Sequence, residues 1–398
     1  MLRPLQGLTV VALEHAIAGP LATRQLADLG ADVIKVERPV TGDFARHYDS
    51  RTRGLSSHFV YTNRGKRSLT LDLKHPEAAA LLRRLVVERA DVLVQNLAPG
   101  AAARAGLSYD ALAADAPRLI VCDISGYGAD GPYRDRKAYD LLIQAEAGVL
   151  STTGTPEAPA RAGLPVSDIA AGMFATQQVL AALLQRGRDG RGRHIDVSML
   201  EASVEWMGFP LYYTIDGAAP PPRTGGSHAT IYPYGPFTAG DGGTVLLAVQ
   251  NEREWVAFCR GVLERDDLAA DPRYAGVERR REARASLQQV IDQAITPFTA
   301  DELARRLDAA GIACARMNDM AGVWSHPQLA ARRRWTTIGS PAGPLPALWP
   351  PGTQPDADAD AADTLGAVPA LGEHTDEILA ELGVDAATRA AWRSAQAI

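Results

Sequence analysis

Leu8-Thr9-Val10-Val11-Ala12-Leu13 is followed by Pro20 to Leu29, by Gly30, and by Ala31-Asp32-Val33-Ile34-Lys35-Val36. The first run is short, apolar and partly β-branched, as a strand buried on both faces would be. Pro20 suits the first turn of a helix, where its missing N–H has no intrahelical partner to lose. Gly30 suits the helix end, where the chain turns through left-handed backbone. The second apolar run then returns as a parallel strand. This spacing predicts a compact βαβ unit, the building block of α/β layer folds.

The pattern recurs outward. Strands are expected at Ser68–Leu73, Asp91–Gln95, Leu119–Ile124 and His194–Ser198. Helices are expected at Pro76–Arg89, from Val166 through Leu184, and from Leu200. Such alternation predicts an α/β fold with an open, mostly parallel, Rossmann-like sheet covered on both faces. Residues 1–216 form this large domain. Gly217-Ala218-Ala219-Pro220-Pro221-Pro222-Arg223 opens a linker over 217–224. Residues 225–330 are expected to form a smaller α+β domain. It holds a hairpin over Pro236–Val249 and helices at Glu252–Leu263, Arg280–Pro297 and Asp301–Ala310, the last begun by a Thr299-x-x-Glu302 capping box. Residues 331–398 read as a return onto the large domain. There Pro341, Pro344, Pro346, Pro350 and Pro351 exclude regular central strands or helices. Asp356–Asp363 reads as a surface loop, and a helix at Thr375–Leu382 closes the chain.

Composition excludes several classes. The 398 residues are 46% hydrophobic and 22% charged, with a net charge of −6. A mild acidic excess argues against a nucleic-acid or anionic-membrane partner. Cys122, Cys259 and Cys314 are too few and too scattered for a disulfide framework or a metal site. No HExxH is present. The N-terminus lacks a charged n-region and a long h-region, and no window approaches 18 continuous apolar residues, so a cytoplasmic location is expected. Phosphate-loop, dinucleotide and nucleophile-elbow motifs are missing: there is no GxxxxGK[ST], no GxGxxG after a strand and no GxSxG.

Asp168 stands where the polar Ser151-Thr152-Thr153-Gly154-Thr155 region gives way to a long apolar helix. A carboxylate there faces the positive end of the helix dipole and free backbone N–H groups, so it is expected to stay ionised. It reads either as a nucleophile or as an ordinary N-cap. Basic residues also gather at strand ends: Lys35, Arg38, Arg64, Lys66, Arg67, Lys74, Arg104, Arg134, Arg136 and Lys137. Carboxyl ends of parallel strands form the ligand crevice of such sheets, so this charge suits a polyanionic ligand.

An ordered set of motifs extends these readings. It comprises Gly7-Leu8-x-Val10 with Ala18-Gly19-Pro20; Leu29-Gly30-Ala31-Asp32-Val33-Ile34-Lys35-Val36-Glu37; Asn63-x-Gly65-Lys66-Arg67-Ser68; Asp91 to Asn96 with Pro99-Gly100; Gly126-x-Gly128-x-x-Gly131-Pro132; and Ser167-Asp168-Ile169-Ala170. Together they resemble the class III CoA-transferase family, which includes formyl-CoA transferase, the carnitine and bile-acid CoA-transferases and α-methylacyl-CoA racemases. The order and spacing agree over the first 200 residues and more weakly beyond.

The resemblance implies an interlocked homodimer with no permanently bound cofactor and coenzyme A thioesters as substrates. It implies that Asp168 attacks an acyl-CoA to form a mixed anhydride, then an aspartyl-CoA thioester. It places CoA against His15, Ile17, Arg38, Lys74, Asn96, Arg104, Lys137 and Tyr139. Two departures stand out. Ile17 replaces the glutamine of formyl-CoA transferase, and Gly225-Gly226 is a shorter glycine loop. Racemases of the family carry a histidine before the residue at Asp140, where this chain has Tyr139. A phenol is a poor base at neutral pH, so transfer is favoured over racemisation or a non-catalytic acyl-CoA-binding role. The segments Tyr232–Phe237 and Val249–Trp255 resemble members acting on C4–C6 dicarboxylates, with succinyl-CoA as donor and acids of the itaconate, mesaconate, citramalate or hydroxymethylglutarate type. A second carboxylate wants an arginine or histidine, for which Arg46, His47, His58 and Arg64 are candidates.

Overall fold

The computed structural model describes residues 3–353 and 365–398. The Asp356–Asp363 stretch expected as a loop lies outside them. The chain divides into two compact units. The first comprises Met1–Val149, Ala162–Gly208 and Gln328–Ile398. It is built on β1 (Thr9–Leu13), α1 (Ala18–Asp28), β2 (Asp32–Glu37), α2 (Ser57–Asn63), β3 (Lys66–Thr70), α3 (Pro76–Arg89), β4 (Val92–Gln95), β5 (Ile120–Ser125), α4 (Asp140–Glu146), α5 (Val166–Asp189), β6 (His194–Ser198) and α6 (Met199–Trp206).

All six strands are parallel, in the order β3-β2-β1-β4-β5-β6. The strand order reverses between β1 and β4, which opens a crevice at their carboxyl ends. The period-two alternation of strand side chains divides the core between two faces. Val10, Ala12, Val33, Val94 and Cys122 face α1 and α5, where Ala18, Ala22, Ala170, Ala171 and Ala175 meet them. Val11, Leu13, Ile34, Val36 and Leu93 face the other way, onto Leu81, Leu82 and Leu85 of α3 and onto Ile378, Leu379 and Trp392.

The 24-residue α5 is long and apolar enough to cross a membrane, but its small apolar side chains are core here. They let it approach α1 closely. A Cβ added at Gly172 would lie 2.7 Å from the Ala18 carbonyl oxygen and 3.2 Å from Leu21 Cβ. Gly172→Ala is therefore expected to push the two helices apart and destabilise the protein by about 1–3 kcal/mol. Urea unfolding checks this; an unchanged midpoint would contradict it.

The second unit comprises Leu150–Arg161 and Phe209–Pro327. Its sheet is antiparallel, β7 (Tyr234–Thr238), β8 (Thr244–Ala248) and β9 (Ala313–Arg316), with α7 (Glu252–Gly261), α8 (Arg284–Ile295) and α9 (Ala300–Ala309) among its helices. Trp255, Phe258, Leu287, Ile291, Leu303 and Leu307 fill its core against Phe237, Val245 and Leu247. The expected helix over Arg280–Pro297 is two helices, Val277–Glu282 and α8, divided at Ala283. Thr299 Oγ1 accepts from the Glu302 N–H at 3.2 Å, as its capping motif requires. The 150–161 segment joins this unit through hydrogen bonds from Gly225 N–H to Gly154 O (2.8 Å) and from Arg223 to the carbonyls of Thr155 (2.9 Å) and Pro156 (3.1 Å).

The last part of the chain returns to the first unit. It carries a ribbon of β10 (Trp335–Ile338) and β11 (Leu345–Leu348), then α10 (Thr375–Glu381) and α11 (Ala386–Ser394). The prolines did not exclude strands. In a two-stranded ribbon both strands are edges, so Pro346 has no ladder N–H to withhold from a further strand. The helix at Thr375 is not the last. Asp385 caps α11 by accepting from the Thr388 N–H at 2.9 Å, and its Trp392 enters the core. The return is tied to β3 by His374 N–H to Ser68 O (3.0 Å) and by Thr70 N–H to Thr375 Oγ1 (3.0 Å).

Candidate active site

Asp168 is the third residue of α5, and Pro165 stands at the N-cap position without a side-chain cap. The N-cap reading therefore fails. The capping is done from α4: Asp140 Oδ1 accepts from the N–H of Ser167 at 2.8 Å and of Asp168 at 3.4 Å. Asp140 Oδ2 is held in turn by Gln144 Nε2 at 2.6 Å, and Ser167 Oγ accepts from Ser203 Oγ at 2.9 Å. Because another carboxylate meets the free N–H groups of the helix, that of Asp168 is left for chemistry.

The Ala18 N–H at the start of α1 favours the ionised form of Asp168. The expectation that Asp168 is fully ionised is corrected here. Burial, and then the nearby charge of Asp140, push its carboxyl up to about 7 against the opposing pull of the Ala18 N–H. Helix-end polarity loses to desolvation because Asp140 already occupies that helix end. Tyr48 lies near enough to feel the charges of Asp43, Asp168 and Tyr139. Burial and those charges raise its phenol to about 12.

Beneath the crevice runs a network of buried charges. Glu14, at the end of β1, accepts from Lys66 Nζ at 2.6 Å, Thr23 Oγ1 at 2.7 Å and Lys35 Nζ at 3.4 Å. Lys66 Nζ also donates to Pro20 O and Asn63 Oδ1, both at 2.9 Å. Three acceptors around one nitrogen match the three protons of an ammonium. Lys35 Nζ pairs with Asp43 Oδ2 at 2.9 Å. Glu37 takes a bidentate pair from Arg46 at 2.8 and 2.7 Å, which helps hold its carboxyl down at about 2 against burial. Lys35, Lys66 and Arg46 balance Glu14, Asp43 and Glu37, so the burial is compensated.

This corrects the basic crevice expected from the sequence. Lys35 and Lys66 are internal. Arg67 is engaged by Asp32, Glu377 and Glu381. Arg64 forks onto Asp28 at 2.8 and 2.9 Å and donates to Leu348 O. Arg46, already on Glu37, donates to Pro369 O and stacks over Phe59. Neither Arg46 nor Arg64 has a free fork for a substrate carboxylate.

Arg134 pairs with Asp135 and Arg136 stacks on Tyr133. Of the other expected cations at the carboxyl ends of the strands there remain Arg38 after β2, Lys74 after β3, Arg104 after β4 and Lys137 after β5. All four are exposed, and among the described residues none pairs with a carboxylate. Tyr139 is exposed at the start of α4. His15 and Ile17 lie in the β1–α1 turn, Ile17 buried and the His15 ring stacked on Phe44 at 5.5 Å. Asn96 spans the switch point. Its side chain accepts from His15 N–H at 2.8 Å and donates to His15 O at 2.9 Å, so it braces the turn. His47 Nε2 lies 3.2 Å from Thr41 O. His58 packs edge-on against Tyr48 at 5.3 Å, its Nδ1 3.2 Å from Asp49. Gly225 and Gly226 belong to the second unit.

A family model described as CoA-transferase family III matches residues 5–375. The chain belongs to CoA-transferase family III. A succinate–glutarate CoA-transferase of Agrobacterium fabrum is 35% identical over 95% of this chain and 96% of its own length. A succinyl-CoA:mesaconate CoA-transferase of Haloarcula marismortui is 33% identical over 96% and 98%. The crystal structure of a CAIB/BAIF family protein from Brucella suis superposes with a TM-score of 0.83, at 34% identity over 96% of this chain and all of that one.

Sequence reasoning about this CoA-transferase missed three groups around the crevice. Asp140 was a landmark beside Tyr139, with no local sign that it would cap a helix 26 residues on. Tyr48 and Asp43 sit in a loop without periodicity, and only the fold brings them to the crevice. The acid form of Asp168 cannot attack, so kcat/KM is expected to rise with pH along a limb centred near 7. Initial rates from about pH 5 to about pH 9 measure it; a limb at ordinary carboxylate values would contradict the burial argument.

Proposed function

We propose that this CoA-transferase moves CoA from succinyl-CoA to a short dicarboxylic acid of the glutarate, mesaconate, itaconate, citramalate or hydroxymethylglutarate class. The observation that carries the reading is Asp168: a partly buried carboxylate at the start of α5, relieved of capping by Asp140. Its carboxylate attacks the succinyl carbonyl, the C–S bond breaks, and a mixed anhydride and CoA thiolate result. The thiolate attacks the aspartyl carbonyl, giving an aspartyl-CoA thioester and free succinate. The acceptor carboxylate then attacks this thioester, and the returning thiolate takes the acceptor's acyl group and frees Asp168. Each step exchanges one acyl–oxygen or acyl–sulfur bond for another, so none requires a redox partner. The substrates are CoA thioesters, and no resident cofactor takes part.

Arg38, Lys74, Arg104 and Lys137 are assigned to the phosphates of CoA, which their exposed, unpaired charge suits. Tyr139 lines the thioester path. Of the four candidates for the second carboxylate, His58 fits best. Asp49 holds its Nδ1, its ring lies on Tyr48, and Tyr48 senses the charge of Asp168. In the working form a second copy covers apolar side chains exposed on each unit: Met173, Leu184 and Trp206 on the first, Phe209, Leu211 and Tyr212 on the second. The relatives named above are transferases, and Tyr139 in place of a histidine leaves no second base for racemisation.

The test incubates the protein with succinyl-CoA and a panel of mono- and dicarboxylic acids and reads new CoA esters by mass. Esters of C4–C6 diacids are expected. Esters of monocarboxylates alone, or deuterium wash-in at the α-carbon with no acceptor acid, would overturn the reading.

A further inference from the structure

Ala18, whose carbonyl packs on Gly172 one helical turn beyond Asp168, is placed by the turn Glu14-His15-Ala16-Ile17 between β1 and α1. Ala16 stands at φ 62°. That left-handed backbone is unfavourable for a residue with a Cβ, so the turn needs an external hold. Asp43 supplies it from the loop after β2. Its Oδ1 accepts from the Ala16 N–H at 3.1 Å and from the Ala45 N–H at 2.9 Å. Its Oδ2 is bound to Lys35 Nζ at 2.9 Å, and Lys35 reaches back to the Glu14 carbonyl at 3.3 Å. The clasp therefore closes on two successive parts of the turn. Asp43 is fully buried, its own N–H donates to Glu37 Oε1 at 3.0 Å, and His15 Nδ1 stands 4.0 Å away with no hydrogen-bond partner. On the other side α5 is pressed onto the same point, since Gly172 leaves no room for a Cβ against Ala18 O. The first turns of α1 and α5 are thus fixed toward each other by packing on one side and by the Asp43 clasp on the other.

We propose that Asp43 is a positioning residue for CoA transfer: its hold on the Ala16 N–H sets the left-handed turn that aims the Ala18 N–H at the Asp168 carboxylate. The proposal rests on Asp168 being the nucleophile. An N–H on that carboxylate favours its ionised form and fixes its rotation relative to the incoming thioester. The exposed cations Lys74, Arg104 and Lys137 lie outside the turn and its clasp, so release of the turn is expected to act on kcat more than on KM. It would misplace the reacting oxygen, where small displacements have large effects on rate.

The experiment compares Asp43→Ala, Asp43→Ser and Asp43→Asn with the unaltered protein, after thermal melting confirms that each folds. Serine can still cap the Ala45 N–H but is too short to span to Ala16. Asparagine keeps an oxygen for both amides while losing the charge that binds Lys35. For Ala and Ser, kcat is expected to fall about tenfold or more with KM for succinyl-CoA within about threefold. The acid limb of the kcat profile should also move to higher pH, because the ionised nucleophile loses its N–H. Asn should melt lower yet recover kcat to within about threefold of the unaltered protein. If Ala does not fold, Ser and Asn carry the comparison. Unchanged kcat with an unmoved limb in Ser would overturn the proposal, as would equal losses of kcat in Ser and Asn. Absence of transfer in the unaltered protein would instead overturn the transferase reading itself.

Discussion

Replacement of Asp168 by alanine or asparagine is expected to lower CoA transfer by about 10⁴-fold or more. Without the carboxylate no anhydride forms, and a direct attack of one free acid on the thioester has no pathway within this site. The loss is chemical, not structural. Asp140 caps α5, so the helix keeps its N-terminal hydrogen bonds in either variant. Stability should move the other way. The folded pKa of Asp168 is raised to about 7 from an ordinary value of 3.8. The stability associated with its neutral form is present below the unfolded value and lost as pH rises through about 7. Asp168→Asn removes that loss and is expected to stabilise the protein by about 2 kcal/mol at pH above 8, allowing for partial exposure. Rates and thermal melting on the same samples check both halves. A variant both inactive and less stable at alkaline pH would show that Asp168 is structural.

Glu14→Ala has the largest expected effect on stability, a loss of about 3–5 kcal/mol. Glu14 is fully buried and faces both Lys66 and Lys35. Its removal leaves Lys35 and Lys66 with one carboxylate, Asp43, in a buried site, where burial already lowers the Lys66 ammonium to about 7 with Glu14 in place. Glu14→Gln keeps the hydrogen-bond acceptor and should cost less. The pH dependence follows from the sign of the shift. Lys66 and Lys35 outweigh burial and hold the Glu14 carboxyl below the usual glutamate range. Its contribution is present above that range and is lost as pH falls through the folded value. The gap between the unaltered protein and Glu14→Ala should therefore be wide at neutral pH and narrow in acid. Urea midpoints at the two pH values measure it, and a gap that widens in acid would contradict the network.

The fold was legible where physical periodicity is local. The apolar runs at Val10, Val33, Val92 and Val121 and the punctuation at Pro20, Gly30 and Pro76 defined the parallel sheet, and the structure agrees on each strand. The ribbon around Pro346 was hidden because proline excludes a central strand but not an edge. α11 was hidden behind Gly383, which follows one helix and stands three residues before the next begins. The site was half legible. Asp168 stood out as a carboxylate at a helix start, but its environment depends on Asp140, Ala18 and Tyr48, which only the folded chain assembles. Charge was the least legible property. Lys35 and Lys66 read as ligand groups and are buried structural cations, because Glu14 and Asp43 lie beside them in space and not in sequence.

The most direct test of acyl exchange through Asp168 is mass spectrometry of the protein after brief exposure to succinyl-CoA without an acceptor acid. The prediction is a CoA adduct, joined as a thioester, on the peptide containing Asp168. It should disappear when a diacid is added and be absent from Asp168→Ala. A CoA adduct on another residue, or transfer at an undiminished rate in Asp168→Ala, would contradict the account.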